Sequence, residues 1–153
     1  MQYKLVTLPE ITLIGEKITT TAGSSDIAAL WRRIGPQLAQ YGASATRYAV
    51  CFNLATPPGR PTNLEYMAAK EKGELTAAPA DMTVLTLPRR EYYLFEHHGT
   101  LATYPQTIRA VIETAREQGL KFDHSYDLER YDERFRLNEP DSILEMLFPV
   151  KPD

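Results

Sequence analysis

The sequence predicts a single α+β domain made of two similar halves, each a β-α-β-β module. Three observations predict this class. Several short segments alternate apolar and polar residues with period two, the pattern of half-buried strands. Two longer segments, 24–42 and 103–119, instead carry apolar residues at helical spacing. The order strand, helix, strand, strand then occurs twice, and three sequence matches share nearly one offset. Leu8-Pro9 matches Leu87-Pro88, Leu64-Glu65 matches Leu144-Glu145, and Ile27 matches Ile108, at offsets of 79, 80 and 81 residues. A repeated order at a near-constant offset marks an internal duplication. The whole chain, 1–153, is read as one domain with pseudo-repeats 1–75 and 80–153.

Segment 3–18, rich in Leu, Ile, Val and Thr, reads as a strand or a bent pair of strands. Pro9 places the break, because proline cannot donate to a ladder. Ser24 or Ser25 then caps a helix carrying Ile27, Leu30, Trp31, Ile34, Leu38 and Tyr41 on one stripe. Gly42 is its expected stop, and Pro36 is expected to kink it. Strands follow at 47–54 and 64–70, separated by the Pro-rich loop ATPPGRPTN. EKGELTAAPAD joins the halves.

In the second half, strands are expected at 82–88 and 91–98. Thr103 and Gln106 have the spacing of a capping box, and Pro105 suits a first turn. Tyr104, Ile108, Val111, Ile112 and Ala115 form the helical stripe, and Gly119 ends it. Strands at 126–135 and 142–150 complete the chain. The expected core contains Trp31, Ile34, Leu38, Ile108, Val111, Ile112, Leu144, Met146 and Phe148.

Composition bounds the function. Apolar residues make up 43% and charged residues 24%, enough to build a core. A net charge of −3 argues against a phosphate-backbone binder, which needs a basic surface. Cys51 is the one cysteine, so no intrachain disulfide is available. The N-terminal residues lack the apolar core of a signal peptide, and no apolar run approaches the ~20 residues that span a bilayer. A cytoplasmic setting is expected.

Strand alternation nominates the site. Leu144, Met146, Phe148 and Val150 share a core-facing side, so Glu145 and Leu147 point the other way. Asp127, Glu129, Tyr131, Glu133 and Phe135 share one face, which sets a carboxylate beside an aromatic ring. Tyr93, Phe95 and His97 share another, as do Tyr48, Val50, Phe52 and Leu54. Asp127, Glu133 and Glu91 read as solvated surface charges, the usual state of such residues. Rings supply area and cation–π attraction, and a desolvated carboxylate supplies countercharge, so this set suits an aromatic cation. No metal site is expected, since His97 and His98 point to opposite faces of their strand. Cys51 reads as a structural thiol, and no phosphate loop or dinucleotide fingerprint is present, so no cofactor is expected.

LERYDERF at 128–135, followed by SILEMLFPVK at 142–151, resembles the C-terminal signature of the gyrase-inhibitor-like (GyrI-like) effector-binding family. The matching residues are Glu129, Tyr131, Asp132, Glu133, Arg134, Phe135, Glu145, Pro149 and Val150. REYYLFEHHGT resembles a further family strand through Tyr93, Phe95, Glu96, His97 and Gly99, and RYAVCFNL another through Ala49, Phe52 and Asn53. The resemblance implies paired β-α-β-β (SHS2-like) modules around a central cleft. It implies a multidrug-type binding domain like those of AraC-type and MerR-type regulators, taking lipophilic, aromatic, often cationic ligands. It places Glu129 at the base of an aromatic pocket, accompanied by Glu145. Family members often carry a ring two residues beyond that last Glu, where this chain has Leu147. Such regulators carry a helix-turn-helix ahead of this domain, and since the pattern starts near residue 1 a stand-alone module is expected. The same resemblance implies two alternatives. One is a hydrolase of strained, cyclopropane-bearing electrophiles, with Glu129 or Glu145 as general base and Tyr131 or Tyr93 orienting water. The other is a gyrase-inhibitor-like module that binds a protein partner. A homodimer is a further expected form.

Overall fold

A computed structural model describes residues 1–42, 44–53, 63–74 and 79–153. Most of the expected loop at 55–63, the centre of the linker between the halves, and Leu54 lie outside these residues. The strands are β1 (Lys4–Leu8), β2 (Ile11–Thr21), β3 (Arg47–Asn53), β4 (Asn63–Glu71), β5 (Thr83–Leu87), β6 (Arg90–His98), β7 (Asp127–Tyr131) and β8 (Ile143–Pro149). The helices are α1 (Ser25–Leu38) and α2 (Tyr104–Gln118), the latter preceded by a 3-10 turn at Leu101–Thr103. Each half therefore runs β-β-α-β-β, one strand more than the expected module.

All eight strands form one antiparallel sheet in the order β1-β6-β8-β7-β3-β4-β2-β5. Exchanging the halves turns β1 into β5, β2 into β6, β3 into β7 and β4 into β8. That exchange reverses the strand order into itself. The central pair is β3 with β7, and its register runs from Arg47↔Tyr131 to Cys51↔Asp127, with Ala49↔Glu129 in the middle. Pro9 lies between β1 and β2, which go to opposite ends of the sheet, β1 pairing with β6 and β2 with β4 and β5.

Both helices lie on one face of the sheet. α1 covers Ile14, Ala49, Leu64, Tyr66 and Ala68 with Leu30, Ile34 and Leu38. α2 covers Phe95, Met146 and Phe148 with Val111 and Ile108. The other face carries its own core, which joins Val6 and Leu8 of β1 to Leu85 and Leu87 of β5. A flat sheet of this size would hold those edges about 34 Å apart, so the sheet curls until its edges share one core.

Local chemistry explains where the elements stop. Ser24 caps α1 through a 3.1 Å bond from the Asp26 amide to its hydroxyl. The helix ends at Leu38, ahead of the expected Gly42. Pro36 lacks the amide that would bond the Arg32 carbonyl but does not split the helix, which runs two residues past it. Lys70, only 2% exposed, donates to the freed carbonyls of Leu38 and Gly42, both at 3.4 Å. The expected Thr103 capping box does not form: the Thr103 hydroxyl donates instead to the Thr100 carbonyl inside the 3-10 turn. β7 stops at Tyr131 rather than 135, because the Asp132 carboxylate accepts from the Arg134 amide and turns the chain. In α2, Ile112 is 61% exposed and leaves the expected core, since the buried stripe is only wide enough for Ile108 and Val111. Trp31 and Ile108 are half-buried, and the other expected core residues are buried.

Candidate ligand-binding site

α1 packs on β2 and β4, and α2 on β6. The central strands β3 and β7 thus lie at the seam between the two helices. Alternation puts Leu128 in the helix-free core and turns Asp127, Glu129 and Tyr131 toward the helices. Glu129 is therefore a carboxylate at the middle of the sheet, between the helices and beneath their side chains.

Both of its oxygens are held. The Tyr131 hydroxyl donates to Oε1 at 2.8 Å, and the Tyr104 hydroxyl, from the first turn of α2, donates to Oε2. Tyr131 stands edge-on to Trp31 of α1, with ring centroids 5.6 Å apart, and against Phe135 at 4.8 Å. Trp31 Nε1 donates to the Tyr66 hydroxyl of β4 at 2.7 Å. Tyr66 and Tyr131 pack in the same cluster beneath α1. Glu129 thus accepts from two hydroxyls, which favours its charged form against the cost of burial.

Behind Tyr104 lies His97, with ring centroids 5.3 Å apart. His97 Nε2 lies 2.8 Å from the Thr100 carbonyl, which can only accept, so that nitrogen carries the proton. Nδ1 meets the Thr107 hydroxyl at 2.7 Å. These bonds tie β6 to the start of α2 and fix Tyr104.

Burial pushes the Glu129 carboxyl above its ordinary range, partly opposed by the two tyrosine hydroxyls and His97. Burial, then the Glu129 charge, pushes the Tyr104 and Tyr131 hydroxyls well above theirs, and the Cys51 thiol likewise. Negative charge in this cluster therefore belongs to carboxylates. No Lys or Arg touches Glu129 among the described residues; its hydrogen-bond partners are the two tyrosines.

Asp127 corrects an expectation. It is half-buried rather than a solvated surface charge, and its Oδ1 is out of water with no hydrogen-bond partner. Burial and the neighbouring Glu129 push its pKa up to about 7, against the Asn53 hydrogen bond. Cys51 stands opposite it in register. Glu133 and Glu91 are exposed, as expected.

Of the nominated residues, the structure brings together Glu129, Tyr131 and, through Tyr104, His97. Tyr93 and Phe95 share that sheet face but sit in the α2 core, against Tyr3 and Phe122. Glu145, Leu147, Tyr48 and Phe52 lie on the opposite face. Glu145 does not accompany Glu129, because its partners are on that face: Arg130 Nε at 2.6 Å and Arg134 Nη2 at 3.2 Å. Sequence reasoning read Tyr104 and Trp31 only as helix stripe and left Tyr66 unassigned. The facing of Tyr104 to Glu129 is a tertiary contact with no local signal.

A half-buried, hydrogen-bonded carboxylate within aromatic side chains, at the centre of a curled sheet, suits a small-molecule binding domain. The chain matches the GyrI-like small molecule binding domain over residues 1–151, and it belongs to that family. Among solved structures it is similar to SAV2435 bound to tetraphenylphosphonium, with a TM-score of 0.77 and 24% identity, covering 99% of this chain and 94% of that one. It is similar to the EcmrR C-terminal domain, with a TM-score of 0.76 and 12% identity over 99% of this chain and 98% of that one. A hydrolase encoded by lin2189 from Listeria innocua is also similar, with a TM-score of 0.56 and 10% identity over 98% and 92% of the respective chains. At these identities the likenesses establish the fold. No curated protein matches the chain in sequence. Among the described residues no helix is long and apolar enough to cross a membrane.

Proposed function

We propose that this domain binds a lipophilic aromatic cation, with Glu129 as the charge partner. One observation carries the reading: Glu129 is a half-buried carboxylate with both oxygens held by hydroxyl donors, and no Lys or Arg is paired with it among the described residues. A buried charge without a countercharge is costly, and a cationic ligand would supply one. Trp31, Tyr66, Tyr104 and Tyr131 would supply the ring faces. A solved relative in fold was captured with tetraphenylphosphonium, an aromatic cation. The palindromic strand order supports descent of the two halves from one duplicated unit, with the ligand on their pseudo-twofold axis.

The test uses Trp31, the chain's single tryptophan, as reporter. Tetraphenylphosphonium and neutral triphenylphosphine oxide are titrated into the wild type and Glu129→Gln. Loss of the carboxylate should weaken the cation by about 30- to 1000-fold, equivalent to roughly 2–4 kcal/mol, and the neutral compound far less. Equal weakening of both would reduce Glu129 to a support of the pocket, and no binding of any aromatic cation at millimolar concentration would sink the ligand class.

The raised carboxyl of Glu129, flanked by two tyrosine hydroxyls, favours a second reading, a general base activating water on a strained electrophile. Mass spectrometry of cyclopropane-bearing compounds after incubation decides it. Water addition that Glu129→Gln abolishes supports the enzyme, and unchanged compounds with binding intact support the binder.

A further inference from the structure

Resting on the cation-binding reading, we propose that the site selects dications: an aromatic ligand with one charge at Glu129 and a second, N–H-bearing ammonium or amidinium at Asp127. Asp127 and Glu129 are alternate residues of β7 on the same sheet face, so their Cα atoms stand about 6.7 Å apart. Their needs differ. Glu129 already accepts from two hydroxyls and lacks only charge. Asp127 has one oxygen that is buried and bonded to nothing, so it lacks a donor as well as charge. Native proteins rarely leave such an acceptor alone, and each exception calls for a cause.

Neither a proton-sharing dyad nor a metal pair accounts for this arrangement. A shared proton needs the two carboxyls in direct hydrogen bond, and the Glu129 oxygens are instead bonded to Tyr104 and Tyr131. A metal needs further ligands, and no cluster of three ligating groups surrounds the two carboxyls among the described residues. Among the described residues no Lys or Arg side chain hydrogen-bonds or ion-pairs with Asp127, and Asn53 is a side-chain partner. A ligand ammonium bonded to Oδ1 would satisfy the atom and neutralise the second charge. The quaternary centre of a monocation would do neither.

Para-xylylenediamine and its matched monoamine, para-methylbenzylamine, are titrated at pH 8 into the wild type, Asp127→Asn and Glu129→Gln. The expected result is that the diamine binds the wild type about 10- to 100-fold tighter than the monoamine, the range of one charge-assisted hydrogen bond. In Asp127→Asn that advantage should vanish while monoamine affinity stays within a few-fold. Asp127→Ser repeats the test if the Asn variant does not fold. Monoamine binding without any diamine advantage overturns the dication proposal and leaves the cation reading standing. An advantage that survives both Asp127 variants also overturns it, since the second charge then lies elsewhere. Binding of neither amine overturns both readings.

Discussion

At the scale of single residues, the chain places negative charge where burial opposes it. Asp127 makes the consequence measurable. Its pKa is about 7 in the folded chain, above the ordinary 3.8. The folded state therefore holds a proton that the unfolded state has released between those pH values. The sign follows: the contribution of Asp127 to stability is fully present below about pH 4 and is lost as pH rises through about 7. The shift sets a ceiling of roughly 4 kcal/mol on that loss. Glu129 is shifted in the same direction and adds to it. Urea unfolding at pH 5 and pH 8 should show the wild type losing stability relative to Asp127→Asn. Parallel pH profiles for the two proteins would mean that Asp127 is hydrated in the folded state. Alternation in 127–131 already placed Asp127, Glu129 and Tyr131 on one face, so this much of the site was legible. The burial of Asp127 was not, because nothing local shows that Cys51 of β3 would stand opposite it, with Glu129 close enough to raise its pKa. Glu145 is the converse case: its facing was legible, but not its two arginine partners, one of which lies beyond the turn set by Asp132.

At the scale of elements, β8 is buried on both faces, whereas α2 buries only one stripe. Phe148, 9% exposed, stacks on Phe122 at 4.8 Å and meets Phe95 edge-on at 5.8 Å in the α2 core. Phe148→Ala should cost about 3–5 kcal/mol, through lost transfer free energy and a residual cavity. Ile112→Ala should cost under about 1 kcal/mol, because the side chain faces solvent. Denaturant melts of both variants check the pair, and comparable losses would mean that α2 is rotated from the orientation described. Period-two and helical spacing were enough to recover every strand and both helices, since each buries a regular stripe. Element ends were less legible. Lys70 shows why: a buried cation supplied by β4 serves the end of α1, and no residue in α1 announces it.

At the scale of the whole molecule, the exchange of edge strands between halves governs how the chain folds. β1 belongs to the first half by sequence but hydrogen-bonds to β6 of the second, while β5 of the second hydrogen-bonds to β2 of the first. The helix-free core is likewise shared, drawing Leu13, Val50 and Met67 from one half and Tyr92, Leu128 and Leu147 from the other. A half cut free would keep its helix but lose an edge strand, the central β3–β7 ladder and about half of that core. The missing area is large beside a net stability of about 5–15 kcal/mol for a domain, so neither half should stand alone. The intact chain should therefore unfold in one cooperative step. Trp31 fluorescence reads the first half and the seam, whereas far-ultraviolet circular dichroism reads both halves together. The two signals should give coincident urea transitions with the same midpoint and slope. A second transition in circular dichroism without a counterpart in Trp31 emission would show the second half unfolding independently. The proposed ligand seat at Ala49↔Glu129 would then join two autonomous units, whereas a single transition means that this part of the sheet forms only when the whole sheet does.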